Sequence, residues 1–382
     1  MFIEKFGVER WMDLYETRCT YNLAETCVDS LTLDELLNLC GRKGFPEELG
    51  QLRLSYGDIP GSLRLRKAIG DLYQSIEPDH VLVTHGAIGA NSLIYETLID
   101  NGDHVVAVFP TYQQHQSIPK CFGAQVDLLD LTPENNYLPD LKQVRGLVGP
   151  KTKLLALNNP NNPAGSLMDQ ALLEKIVEIA RPYQTYILCD EVYRGLNDDG
   201  DGFTSSIADL YELGISTGSM SKVYSLAGLR LGWMASRAPR LLESVMTHRD
   251  YNTISVGRLD DHLASLALES KNAILTRSHA ITRGNRRVLA QWVDNEPLIS
   301  WSPPLSGTTA LLELHLAISS WDFCVRLVEQ TGVMLCPGSV LGREGFLRIG
   351  YGCSPESLTK GLEQLTFFLR QLATQGLTEG AA

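Results

Sequence analysis

Short apolar runs alternate with longer stretches of helical periodicity from about residue 80 onward, the pattern of an α/β domain built on a mostly parallel sheet. Val81–Thr84 (VLVT) reads as a strand that runs into His85-Gly86-Ala87-Ile88-Gly89-Ala90 and then a helix through Leu98. His104–Phe109 (HVVAVF) is the next strand, stopped by Pro110. Lys153–Leu157 (KLLAL) is another, stopped by Asn159-Pro160-Asn161-Asn162-Pro163. A helix near 169–181 precedes Thr185–Leu188, which leads into Cys189-Asp190-Glu191, and a strand near Ile215–Gly218 ends just before Lys222. The polar residues of interest thus fall at the C-terminal ends of successive strands, where open α/β sheets bind ligands.

Beyond Arg249 the periodicity becomes helical, and Leu266–Val293 is expected to link two domains. The remainder mixes strands (Thr309–Leu316, Gly345–Gly350) with helices (Trp321–Thr331, Pro355–Leu372), and Thr374–Ala382 has little to bury and is expected to fray. The first 40 residues show a helix over Asp34–Cys40 and otherwise read as an arm. The expected division is 1–44 as an arm with part of a small domain, 45–278 as a large cofactor-binding domain and 279–382 as a C-terminal small domain.

Composition narrows the class. The chain has 382 residues, 44% of them hydrophobic and 20% charged, ordinary for a globular enzyme with a large core. A net charge of −12 with no basic stripe argues against a nucleic-acid partner or an anionic membrane. Met1–Tyr15 is mixed charged and aromatic, with no signal-peptide core, and no apolar run approaches spanning length. The eight cysteines are scattered without a CxxC pair, so no metal site or disulfide frame is expected, and the cytoplasm is the expected setting.

The chemistry concentrates in Gly218-Ser219-Met220-Ser221-Lys222 and the following Gly228-Leu229-Arg230-Leu231-Gly232. An amine that forms a Schiff base with an aldehyde needs an anion site nearby to hold the aldehyde's carrier. Ser219, Ser221 and Arg230 offer that site beside Lys222. A pyridine-aldehyde cofactor also needs a carboxylate on its ring nitrogen, donors on its ring oxygen, a stacking aromatic and a phosphate cup. Asp190, ending a buried strand, offers the carboxylate, its alternative reading being a helix N-cap. Tyr193 and Asn162 offer donors, the alternatives being a packed tyrosine and an ordinary Asn-Pro turn. Gly86, Ala87 and Ile88 open a helix after a strand, so their backbone N–H groups can hold a phosphate. The run lacks GxGxxG spacing and a ribose-binding acid, which disfavours a dinucleotide. Tyr112 offers the aromatic. Arg348, central in the apolar run Phe346–Gly350, suits a planar carboxylate or a structural ion pair.

These motifs resemble the class I/II aminotransferases, pyridoxal-phosphate enzymes of fold type I. The lysine run resembles their S-x-S-K-x-x-x-x-x-G-x-R-x-G, residues 159–165 their N-P-x-N-P-x-G, and Asp190 with Tyr193 their D-x-x-Y. Tyr56-Gly57-Asp58-Ile59-Pro60-Gly61 resembles their Y-x-x-x-x-G, and Gly332–Gly338 with Arg348 their small-domain end. The resemblance implies an α/β fold with a mostly parallel seven-stranded sheet flanked by helices, plus a smaller α+β domain. It implies pyridoxal 5'-phosphate on Lys222, Arg348 gripping the substrate carboxylate, and a homodimer in which Tyr56 reaches the partner's cofactor. The chain departs from the pattern in three places: Ala164 stands for the usual threonine, Ile88 for a frequent phosphate-binding hydroxyl, and Asn22-Leu23-Ala24-Glu25-Thr26 for a glycine-rich pocket lining. Glu25, and Asp58 beside Tyr56, read either as facing the substrate, where their shared sign would suit a cationic side chain, or as ordinary solvated acidic residues. Arg249–Ser255 resembles capreomycidine-synthase-like members, which make cyclic arginine derivatives. Amino transfer between an L-amino acid and a 2-oxo acid is the expected reaction. Elimination, replacement or ring closure on the same scaffold is the alternative, and a cofactor-binding regulator or an oxidoreductase is disfavoured.

Overall fold

The structure, a computed structural model, describes residues 2–42, 47–198 and 200–374. The boundary expected at 45 and the tail 375–382 lie outside the described residues. Thirteen strands are described: β1 (Tyr21–Asn22), β2 (Val81–Thr84), β3 (His104–Phe109), β4 (Gln125–Asp130), β5 (Thr152–Asn158), β6 (Tyr186–Asp190), β7 (Gly214–Ser219), β8 (Gly232–Ser236), β9 (Ile299–Trp301), β10 (Thr309–Leu314), β11 (Val333–Met334), β12 (Cys336–Pro337) and β13 (Phe346–Gly350).

Seven of them form the large sheet in the order β2-β8-β7-β6-β5-β3-β4. The pairs joining β4, β3, β5, β6 and β7 are parallel, and β8 runs antiparallel to both β7 and β2. β2, β7 and β8 are buried along their whole length, and β6 is buried except for its first residue. That burial explains why the sheet interior reads as unbroken apolar runs rather than alternating ones. Three apolar clusters flank it. One packs Leu82, Ala107, Leu154, Leu188 and Ile215 against the helices Gly86–Leu98 and Pro239–Asp250. Another joins Val106, Leu155, Leu157 and Ile187 to the small sheet and the helix Pro355–Thr374. The third packs Val81, Val83, Trp233 and Ala235 against the helices Leu63–Gly70 and Arg258–Glu269.

Register sets the site. Asn158, the last residue of β5, lies opposite Asp190, the last of β6, and Asp190 lies opposite Thr217 of β7. Three polar residues thus form a shelf at one sheet edge. Beside it, Gly232 opens β8 across from Thr84, and a Cβ there would collide with the Gly86 carbonyl carbon and the Ala87 nitrogen. Glycine at 232 therefore lets β8 sit against the start of the helix Gly86–Leu98.

The second sheet has the order β12-β13-β10-β9, all antiparallel. The segment expected to link the domains is two helices, Arg258–Glu269 and Lys271–Asp294, meeting at Ser270. Residues 278 and 279 lie inside the second of them. The first 40 residues are more ordered than an arm: they form the helices Gly7–Tyr15 and Leu33–Leu39 and the strand β1, which pairs with β11. Trp11, fully buried, donates its indole N–H to the Leu335 carbonyl at 2.8 Å and pins the first helix to the link between β11 and β12. After β1 the chain crosses between the two sheets. It bonds to the small side through Gly350 N–Leu23 O (2.7 Å) and Asp29 N–Gly352 O (2.8 Å), and to the large side through Val28 N–Lys222 O (3.1 Å).

Candidate active site

A cavity of about 370 Å³ opens where the large sheet edge, the small sheet and this crossing segment meet. Lys222, Asp190, Tyr193 and Asn162 line it, as do Gly86, Ala87, Ile88 and Tyr112. Ser219, Ser221 and Arg230 line it too, with Arg348 and Glu25 on its other sides. Tyr56 and Asp58 do not. They line a separate cavity of about 200 Å³ with Arg258 and Asp261, and Tyr56 is 79% exposed. Glu25 thus lines the first cavity of this chain and Asp58, beside Tyr56, the second.

Lys222 follows β7, and its Nζ donates to Thr26 Oγ1 at 2.7 Å, with Cys27 Sγ at 3.5 Å. Burial opposes charge on this amine. Cys27, Tyr193 and Glu25 around it outweigh that, so its pKa stands above the usual lysine value. Burial pushes the Cys27 thiol up to about 11. The turn carrying these partners is shaped by Asn22, whose side-chain oxygen accepts the backbone N–H groups of Ala24 and Glu25, both at 3.1 Å. The Glu25 carboxylate in turn accepts from the N–H groups of Thr26 and Cys27 at 2.6 and 2.8 Å. Burial raises the Glu25 pKa, but the Lys222 charge and those donors win and lower it.

Asp190 is 5% exposed. No helix begins at Asp190, so the N-cap reading does not apply. Its Oδ2 accepts from Asn91 Nδ2 at 3.1 Å and lies 3.4 Å from His115 Nε2, and its Oδ1 accepts from Val192 N at 3.2 Å. Asn91 is itself oriented by Thr217, which donates to Asn91 Oδ1 at 2.9 Å. His115 Nδ1 meets the Tyr95 hydroxyl at 2.9 Å. Burial raises the Tyr95 pKa well above its usual value, so the phenol keeps its proton and can donate to Nδ1, while His115 Nε2 has no hydrogen-bond partner among the described residues. The sequence reading missed Asn91, His115, Thr217 and Tyr95. The signal present for Asn91 and Thr217 was a polar residue inside an apolar helix or a buried strand; the polar helix Gln114–Cys121 gave none for His115.

Arg348, in the middle of β13, is 3% exposed. It donates to the Ala24 carbonyl at 3.0 Å and to Asn162 Oδ1 at 3.3 Å, while its Nε has no partner. It forms no ion pair among the described residues. The Tyr193 hydroxyl is likewise buried without a partner. Tyr112 donates its hydroxyl to Glu9 at 2.9 Å and packs on Phe6, with ring centroids 4.7 Å apart.

These residues fit a phosphorylated pyridine aldehyde. The helix Gly86–Leu98 has no side-chain cap at His85, so its first N–H groups face the cavity mouth uncapped. Gly86, at φ +70°, leaves room beside Arg230, whose Nη2 would lie 3.1 Å from a Cβ there. Arg230 also donates to the Ala227 carbonyl at 2.9 Å, and its Nη1 lies 3.4 Å from Ser221 Oγ. Asp190, Tyr193 and Asn162 supply an acid, a phenol and an amide, and Lys222 the amine.

A family model for aminotransferase class I and II matches residues 31–365. Capreomycidine synthase of Streptomyces vinaceus is 30% identical over 361 residues, 94% of this chain and 92% of that one. Aspartate aminotransferase of Thermotoga maritima is 29% identical over 330 residues, 83% of this chain and 84% of that one. The crystal structure of a PLP-dependent aminotransferase from Streptococcus suis 89-1591 superposes with a TM-score of 0.93 at 41% identity, covering 97% of this chain and 99% of that one.

Proposed function

The chain belongs to the aminotransferase class I and II family, and on that premise we propose how its cavity divides between cofactor and substrate. It is a pyridoxal-phosphate enzyme, and its reaction is amino transfer between an L-amino acid and a 2-oxo acid. What supports this reading most is that a half-buried amine (Lys222), a buried carboxylate (Asp190) and a half-satisfied guanidinium (Arg348) line one cavity.

When bound, the cofactor supplies an aldehyde that takes up amino groups and a ring that holds the electron pair released at the substrate Cα. Lys222 anchors it and moves a proton at the substrate Cα. Asp190 would hold a proton on the ring nitrogen, with Asn91 bonded to its carboxylate and His115 beside it. Tyr193 and Asn162 would serve as donors to the ring oxygen and Tyr112 as the stacking aromatic. Gly86, Ala87 and Ile88 would give backbone donors to the phosphate, with Ser219, Ser221 and Arg230 giving side-chain ones. Arg348 fixes the α-carboxylate, since its Nε is the buried donor left without an acceptor.

A second reading, elimination or ring closure on the same scaffold, draws on the likeness to capreomycidine synthase. Product analysis with a panel of L-amino acids separates the two. Stoichiometric exchange with an added 2-oxo acid is expected; product that forms without acceptor, with ammonia or a new ring, would favour the second reading.

The enzyme acts as a homodimer with shared sites, Tyr56 completing the partner's phosphate cup. Its exposure and its distance from this chain's own cavity support that assignment. Mixing Lys222→Ala with Tyr56→Ala subunits, each inactive alone, is expected to restore part of the activity through hybrids with one intact site. Confirmed subunit exchange without recovered turnover would refute it.

A further inference from the structure

The N-terminal segment brings three carboxylates to the cavity that contains Lys222 and Arg348. Glu9 lies on the helix Gly7–Tyr15, Glu16 directly after it and Glu25 in the turn after β1, and all three line the cavity. The helix is not a loose flap. Besides the Trp11 anchor, its Gly7 N–H donates to Gln113 Oε1 at 2.8 Å, and Gln113 Nε2 donates back to the Lys5 carbonyl at 3.0 Å. No basic side chain forms an ion pair with Glu9, Glu16 or Glu25 among the described residues. Glu9 accepts one hydrogen bond from Tyr112 and Glu25 two from its own turn, while the Glu16 carboxylate has none among the described residues. Burial, then the charges of Glu25, Glu9 and Asp13, raise the Glu16 pKa, so the carboxylates crowd one another, with the Lys222 amine as the positive charge felt at Glu25.

A second, independent feature of the same cavity points to a ligand. Arg348 is 3% exposed and its Nε lacks a partner, which calls for an anion. The cavity therefore presents a cation for a carboxylate and, apart from it, carboxylates for a cation. We propose that Glu9, Glu16 and Glu25 form the side-chain subsite and select L-amino acids whose side chain ends in a guanidinium or ammonium group. The proposal rests on the amino-transfer reading above. A side-chain carboxylate would meet like charges here, and an apolar side chain would strip water from the glutamates without replacing their hydrogen bonds.

The test compares L-arginine with L-citrulline, its neutral counterpart of equal length, and with L-aspartate, on the holoenzyme and on Glu16→Gln. Binding is followed through the absorbance of the bound cofactor, and turnover through exchange with a 2-oxo acid. L-Arginine is expected to bind about tenfold or more tighter than L-citrulline, with L-aspartate weakest. The preference should lie in KM rather than kcat and shrink as salt is raised. Glu16→Gln, a change at an exposed position, should cut the arginine-to-citrulline ratio about threefold to tenfold; Glu25→Gln should cut it as well. Equal or tighter binding of L-citrulline or L-aspartate, or a ratio unmoved in both variants, would overturn the subsite. Absence of amino transfer with every amino acid would instead overturn the amino-transfer reading, and the binding order would still judge the subsite.

Discussion

Lys222→Ala is expected to keep the fold, lose covalent attachment of the cofactor and lose turnover by on the order of a thousandfold or more. The fold should survive because the lysine side chain contributes little apolar burial, and its removal takes a charge out of a buried setting. Attachment should vanish because Lys222 is the lysine that lines the cavity. The check is borohydride reduction of the holoenzyme followed by mass spectrometry of the peptides. Wild-type protein should carry the cofactor mass on the Lys222 peptide and the variant nowhere. Cofactor mass retained elsewhere in an active variant would show that another amine does the work.

Asp190→Asn is expected to bind cofactor almost normally and yet lose about 3 kcal/mol of transition-state stabilisation, on the order of a hundredfold in kcat/KM. Asparagine has the same shape, so the bond from Val192 N can persist. An amide cannot hold a proton on the ring nitrogen, and its NH₂ group would face the donors on Asn91 or His115. Cofactor titration and steady-state kinetics on one preparation separate the two effects. Normal turnover would reduce Asp190 to an acceptor for its neighbours.

Much of this was legible along the chain because the site is built from strand ends. Strands buried on both faces announce themselves as apolar runs, and the residue that breaks each run is polar for a reason. Asp190, Asn162 and Lys222 could be picked out that way, and the seven-stranded sheet followed from the family resemblance. β4 and β8 went unread: Gln125–Asp130 carries polar residues on a sheet edge, and the first residue of Gly232–Ser236 is the close-approach glycine of the lysine motif. The residues that orient Asp190 were illegible for a different cause. Asn91, His115 and Thr217 come from two helices and a strand, and only the packing of those elements joins them. Glu9 and Glu16 looked like ordinary solvated residues of a polar start. Nothing local said that Trp11 would pin their helix over the cavity.

The segment that crosses between the sheets acts as a tie-rod. Leu23 and Asp29 are bonded through main-chain atoms to Gly350 and Gly352 at 2.7 and 2.8 Å, and Val28 to the Lys222 carbonyl at 3.1 Å. Thr308 Oγ1 holds the Thr26 carbonyl at 2.6 Å while the Thr26 hydroxyl holds the Lys222 amine at 2.7 Å. Side-chain rotation can absorb a small displacement, but a rod fastened at its backbone cannot. Any tilt of the small sheet must either carry Thr26 along, altering the reach of the lysine, or break the fastening. The lysine is thus mechanically geared to the posture of the small sheet, through seven residues that belong wholly to neither half.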